Sequence, residues 1–230
     1  MLRRILFAAV PAALLASAPV CAAELPPLDA TVSYESRSVS HAGVTEIRQF
    51  RNLLIRRPGH VWMERLVPAH VEAGHTHEVG EGGHKHVDFD LSTQHLTRGA
   101  RGEVHAEYID PNQRQVVFVP PTEYSISGFD GSWDNAAAMV AEKTVLAMPL
   151  SSRASPTPEA HWHEEARNGW YNRVLWSSRY KVALIVESGR TDGSTTRRTV
   201  LDVRPLTAEQ ALPWKHLNGY AQKEYDDFMD

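Results

Sequence analysis

The chain has 230 residues, with 24 Lys and Arg against 28 Asp and Glu, 12 His, a single Cys and 42% hydrophobic residues. This apolar content suffices for one hydrophobic core. The formal charge of -4, without a dense basic patch, excludes the charge pattern of proteins that bind the nucleic-acid backbone. A single cysteine excludes intrachain disulfides and multi-thiolate metal sites.

Residues 1–23 have the pattern of a secretory signal peptide. Arg3 and Arg4 form a basic start, an apolar run follows, and the segment ends in small residues. The apolar run is interrupted by Pro11 and is too short to span a bilayer. We therefore predict cleavage after Ala23, a periplasmic or secreted protein, and no transmembrane segment after cleavage.

The single cysteine, Cys21, raises the alternative of a lipoprotein, because a lipidated cysteine follows the apolar region of its signal. Residues 18–20, Ala-Pro-Val, lack the usual Leu and small-residue pattern before such a cysteine. Cys21 is therefore expected to leave with the signal peptide.

The next segment predicts a β-meander. Three stretches are rich in β-branched and alternating apolar residues and are separated by turn residues at His41 to Gly43 and Arg57 to Gly59. The predicted strands are 31–40, 45–56 and 61–66.

Residues 74–90 read GHTHEVGEGGHKHVDFD and predict a metal-binding hairpin. A two-residue turn at Gly80 and Glu81 would pair the two halves as antiparallel strands. Opposed residues and residues two apart share a face, so all the imidazoles would point to one side. Neutral imidazole is a good ligand for Zn, Cu and Ni. The predicted ligands are His75, His77, His84, His86 and Asp88.

The same His-x-His spacing recurs at His161 and His163. On a strand these two rings would share a face, and they would complete the metal site if the fold brought them near the hairpin. The alternative for this pair is a surface feature, and the alternative for residues 74–90 is a solvated Gly/His loop.

The second half of the chain predicts further strands around one helix. Asp134 is a candidate N-cap for a helix over 134–148, whose apolar residues recur at helical spacing. The dipeptides Asn168-Gly169 and Asp192-Gly193 are strong hairpin signals. The predicted strands are 103–109, 115–119, 162–167, 170–177, 180–188 and 194–204.

The C-terminal residues 207–230 predict short helices. Thr207 and Gln210 have the spacing of a capping box, and Pro213 would end the helix that they begin. A last helical turn or two is predicted over 220–228. We therefore expect one antiparallel β domain over 24–206 and a helical appendage after it.

Two stretches carry a resemblance to a known group. TVSYESRSVSHAGVTEIRQFRNLLIRRPGHVWMERL near the front and YKVALIVESGRTDGSTTRRTVLDVRPL near the back resemble the periplasmic half-barrel group of the lipoprotein carriers LolA and LolB and the regulator RseB. The resemblance is one of pattern and carries over no functional residue. It implies a mainly β fold with a few helices, in which a curved antiparallel meander sheet, the half-barrel, is crossed by a helix. The concave side of such a sheet holds an acyl chain or a peptide.

The residues do not predict an enzyme. His77 and Glu78 come closest to a zincin motif but stand among glycines, and the chain has no Gly-x-Ser-x-Gly elbow, phosphate loop or dinucleotide fingerprint. A metalloenzyme with three His ligands remains open.

The first functional hypothesis is an exported, non-enzymatic protein that binds a divalent transition metal ion, Zn or Cu with Ni as a further option, through the histidine hairpin. Metal binding that survived replacement of all four hairpin histidines by Ala would refute it. The alternative hypothesis is a periplasmic lipid or lipoprotein carrier, or an envelope-stress sensor, with a lipid or an envelope protein as partner.

Overall fold

The computed structural model describes residues 24–67, 89 and 91–228. The described residues form one large, curved sheet of eleven strands, as the sequence predicts for a mainly β protein. The strands are β1 Leu28–Val39, β2 Thr45–Arg57, β3 His60–Arg65, β4 Thr93–Arg98, β5 Val104–Asp110, β6 Gln115–Val119, β7 Ala160–Arg167, β8 Trp170–Ser177, β9 Val182–Arg190, β10 Thr195–Arg204 and β11 Ala221–Glu224.

The sheet is open and almost entirely antiparallel. Its strand order is β11-β6-β5-β4-β3-β2-β1-β10-β9-β8-β7, and β11 alone among these strands pairs in parallel, with β6. The pairing of β1 with β10 joins two meanders, β1 to β6 and β7 to β10. Residues more than 150 positions apart in the sequence therefore become neighbours at the centre of the sheet.

One face of the sheet, the helix-covered face, holds the main core. Alternate residues of the strands, such as Val32, Leu54 and Leu96, are buried there. They pack against the segment 121–148, through buried side chains that include Tyr124 and Ala137. Because side chains alternate along a strand, the remaining strand residues point to the opposite face.

The segment that covers this face is a series of short helices. A 3-10 helix over Pro121–Ser127 precedes two α-helices, α1 Trp133–Ala138 and α2 Glu142–Ala147. The predicted single helix over 134–148 is therefore wrong in its continuity, because Met139 has a φ of 65° and interrupts it. The N-cap is Ser132, whose hydroxyl accepts a hydrogen bond from the Asn135 N–H at 3.2 Å, and not Asp134.

The opposite face is covered at the β3 to β6 side by the C-terminal segment. Residues 207–220 form 3-10 turns at Glu209–Ala211 and Pro213–His216 and pack Leu212 and Trp214 on Trp62 and its neighbours. Pro213 is predicted to end a helix. It follows the end of the first 3-10 turn, as predicted, but it also begins the second one. The predicted helix over 220–228 is wrong in its first half, where the chain forms strand β11.

The opposite face is also covered at the β7 to β9 side. Trp162 is buried there with Leu175, and the Arg153 guanidinium of the loop before β7 lies 4.1 Å from the centre of the Trp162 indole ring. Between these two covered parts lie β2, β1 and β10.

The strands agree closely with the sequence prediction, with two exceptions, β11, where a helix is predicted, and β4. The fourth strand of the described sheet is β4, which the hydrophobic pattern does not single out. The Asn168-Gly169 turn is confirmed as a two-residue hairpin loop, with φ angles of 54° and 76°. The predicted hairpin around Asp192-Gly193 also forms, with a longer loop between β9 and β10.

Candidate binding groove

A groove of about 590 Å³ lies at the centre of the sheet, on β2, β1 and β10. Six of its lining residues point to the opposite face and form a block of two residues on each of three adjacent strands. The strand register places them in two rows across the strands. Ser33 is paired with Arg51 and Val200, and Glu35 is paired with Gln49 and Arg198. The six residues are Gln49 and Arg51 on β2, Ser33 and Glu35 on β1, and Arg198 and Val200 on β10.

The groove has a substantial apolar part. Leu66 and Val67 follow directly on β3, and Leu91 shortly precedes β4. Leu91 and Phe50 are 51% and 39% exposed, which is high for two large apolar side chains that line one groove. With Val200, these residues give the groove an apolar wall and floor.

Three residues that the register places on the helix-covered face also line the groove, near the end of β3. Tyr34 and Phe50 are directly opposed on β1 and β2, and their rings stack at 4.6 Å with an interplanar angle of 21°. The Arg65 guanidinium carbon lies 3.7 Å from the centre of the Phe50 ring, a cation–π contact. Burial raises the pKa of Tyr34 to about 12, against the opposing effect of the Arg65 charge.

The charged residues of the groove are mostly cationic. Arg51, Arg65 and Arg198 line it together with one carboxylate, Glu35. Glu35 accepts a hydrogen bond of 2.7 Å from the Gln49 side chain. The groove therefore combines an apolar surface with a positively charged rim.

The residues of the predicted metal-binding hairpin are not among those that the structure describes. His75, His77, His84, His86 and Asp88 lie outside the described residues. The metal hypothesis for them stays a prediction.

The second predicted pair, His161 and His163, lies within the described residues on β7. His161 is exposed, whereas His163 is 8% exposed and its Nδ1 lies 3.1 Å from the Met148 carbonyl oxygen. Within residues 24–67, 89 and 91–228, no group of three His, Cys, Asp or Glu side chains has a geometry that could hold a metal ion. His163 thus has a structural hydrogen bond in the described fold.

Another histidine pair lies under the C-terminal segment. His60 Nδ1 is 3.1 Å from His95 Nε2, and His95 Nδ1 is 3.2 Å from the Glu107 carboxylate. The Trp214 indole stacks on both imidazoles, at 5.0 Å from His60 and 5.5 Å from His95. Because the carboxylate can only accept, His95 donates from Nδ1 to Glu107, and in the neutral pair His60 donates from Nδ1 to His95 Nε2.

The sequence pattern does not predict the groove residues. The aromatic and cationic members Phe50, Arg51 and Arg65 are visible in the sequence, but they stand in strands with ordinary alternation. Their convergence with Arg198 and Val200 depends on the pairing of β1 with β10. The groove residues could be predicted only if the register between β1 and β10 were known.

Comparisons with known proteins give similarities of fold only. No family model matches the chain, and the comparison with curated protein sequences finds no match either. Among solved structures, the chain is similar to an uncharacterized conserved protein from Thermus thermophilus, with 12% identity, 86% of this chain and 90% of that chain covered, and a TM-score of 0.44.

Two further structures show weaker similarity. One is PNGF-II, with 11% identity, 87% of this chain but 33% of that chain covered, and a TM-score of 0.39. The other is a domain from Vibrio parahaemolyticus assigned as an outer membrane lipoprotein-sorting protein, with 11% identity, coverages of 83% and 89%, and a TM-score of 0.30. Similarities this weak assign neither a family nor an activity, and the expected likeness to lipoprotein carriers stays one of fold.

The described helices are all short. In the part of the chain that the structure describes, no helix is long and apolar enough to cross a membrane.

Proposed function

We propose that this protein is an exported carrier or sensor that binds a single-chain amphiphile, a lipid or the acyl chain of a lipidated partner, in the groove on β2, β1 and β10. The observation that carries the proposal is the groove itself, which joins an apolar wall to a charged rim in about 590 Å³. Small-molecule sites typically have volumes of roughly 300–1,000 Å³ and are mainly apolar with a few polar groups.

The packing of the sheet supports this location. The helix-covered face is filled in its central part by a core that includes Val32, Leu54 and Ala137, each with no exposed surface. An acyl chain would have to displace that core, at the cost of its buried apolar contacts. The groove offers exposed apolar side chains without such a displacement.

The proposal is tested by calorimetric titration of residues 24–230 with dodecanoate and with monododecanoyl glycerol, each below its micellar concentration. We expect one molecule to bind per chain. Val200→Trp fills the groove floor and should lower the affinity by at least about tenfold, or about 1.4 kcal/mol.

Val203→Trp is the matched control, because Val203 is 40% exposed on the same strand and does not line the groove. It should leave the affinity unchanged. If neither probe bound, or if both Trp variants bound as well as the unmodified chain, the groove would not be the ligand site.

A further inference from the structure

The cationic rim of the groove is only partly neutralised. Arg198 donates a hydrogen bond of 2.6 Å to Glu187 and is thus engaged on the neighbouring strand. Among the ion pairs of the described residues, neither Arg51 nor Arg65 has a carboxylate partner. The groove therefore holds two guanidinium groups whose charge the described carboxylates do not balance.

Arg65 is the more constrained of the two. Its guanidinium lies against Phe50, at 3.7 Å from the ring centre, and Phe50 is in turn stacked on Tyr34. Stacking on an aromatic ring holds the planar group in one orientation and leaves its edge for hydrogen bonds. This arrangement presents a preorganised donor beside the apolar wall.

The donor has no acceptor in the described structure. Arg65 Nη1 is buried and makes no hydrogen bond. Asn52 lies directly opposite Arg65 in the register, yet its Oδ1 is also buried without a partner, so this neighbouring amide does not satisfy the guanidinium. A buried, unpaired N–H of a charged group is costly, and a ligand atom that accepts from it would remove that cost.

We infer that the amphiphile bound in the groove has an anionic head, a carboxylate or a phosphate, received by Arg65. This inference rests on the proposed function. A guanidinium recognises both groups with paired N–H donors, and such charge-assisted hydrogen bonds are about twice as strong as neutral ones. The acyl chain then lies along the apolar lining that directly follows Arg65 in the chain, Leu66 and Val67.

Head-group selectivity tests the inference on the unmodified chain. Dodecanoate should bind at least about tenfold more tightly than monododecanoyl glycerol, as expected for one charge-assisted hydrogen bond to a buried donor. Acetate, which has the same head without a chain, should not bind. Equal affinity for the two dodecanoyl probes would overturn the anionic head and leave the proposed function intact, whereas binding of neither would overturn the proposed function itself.

Substitution of Arg65 assigns the selectivity to that residue. Arg65→Met should abolish the preference for dodecanoate, and Arg65→Lys should keep part of it, because Lys retains the charge without the planar stack. Arg48→Met is the control, since Arg48 is exposed on β2 and pairs with Glu46. A preference that survives in Arg65→Met, or acetate binding at the dodecanoate affinity, would contradict the inference.

Discussion

Arg56 is the largest fully buried side chain among the described residues, and it carries a charge with no carboxylate beside it. Its guanidinium donates to four backbone carbonyl oxygens, of Pro26, Ala137, Tyr180 and Lys181. Burial lowers the pKa of Arg56 to about 10, so the group remains charged at neutral pH. One side chain thereby ties β2 to the N-terminal segment, the end of α1 and the loop before β9.

Arg56→Met should lower the free energy of unfolding by about 3 kcal/mol, because it leaves four carbonyl groups without their donor. Urea denaturation measures this change. Arg197→Met, at an exposed position on β10, is the control and should change stability by less than about 0.5 kcal/mol. An equal, small effect of both substitutions would mean that Arg56 does not hold these segments together.

At the scale of elements, the C-terminal segment is held on the sheet by polar as well as apolar contacts. Trp214 covers the hydrogen-bonded pair of His60 and His95, while Leu212 is buried beside Trp62. Burial lowers the pKa of His60, with the charge of His95 and that of Lys215 acting in the same direction. The carboxylates of Glu107 and Glu209 oppose this shift.

A lowered pKa in the folded state makes stability depend on pH in a defined direction. The unfolded chain, with a His pKa of about 6.5, binds the proton more readily than the folded chain, so stability is complete above about pH 6.5 and is lost as the pH falls through the folded pKa. His60→Gln should therefore reduce the slope of unfolding free energy against pH below about pH 6.5.

Urea denaturation over that pH range gives the measurement. His41→Gln, in the exposed turn between β1 and β2, should leave the slope unchanged. An identical slope in His60→Gln and the unmodified chain would show that His60 does not contribute to it.

The elements illustrate how far local sequence determines structure. Asn168-Gly169 fixes its hairpin because both residues adopt positive φ, which these residue types tolerate, so the turn is predictable from two residues. The interruption of the helix at Met139 is not predictable in this way. Met139 is an apolar residue with no special turn preference, yet it adopts a φ of 65° between α1 and α2. Strand β11 is equally hidden, since its four exposed residues are placed by pairing with β6 and not by an alternating pattern.

At the scale of the whole molecule, the candidate groove depends on contacts that span the chain. The antiparallel meander and its curved sheet follow from alternation and turn chemistry, and the structure confirms both. The groove cannot be predicted from these local signals, because it depends on the pairing of Ser33 with Val200, and no local sequence feature determines that register. The metal-binding hypothesis, in contrast, is based on a local pattern of ligand residues in the sequence. The predicted hairpin that carries these ligands lies outside the described residues.

Binding of an amphiphile on β2, β1 and β10 is tested most directly by photoaffinity labelling. Residues 24–230 would be irradiated with a dodecanoate that carries a diazirine at the chain end, and the modified peptides would be mapped by mass spectrometry. We predict saturable labelling confined to peptides that contain Ser33, Phe50, Leu66 or Val200, and its loss in Val200→Trp. Labelling of residues 121–148 without the groove strands, or labelling that excess dodecanoate does not reduce, would contradict binding in the groove.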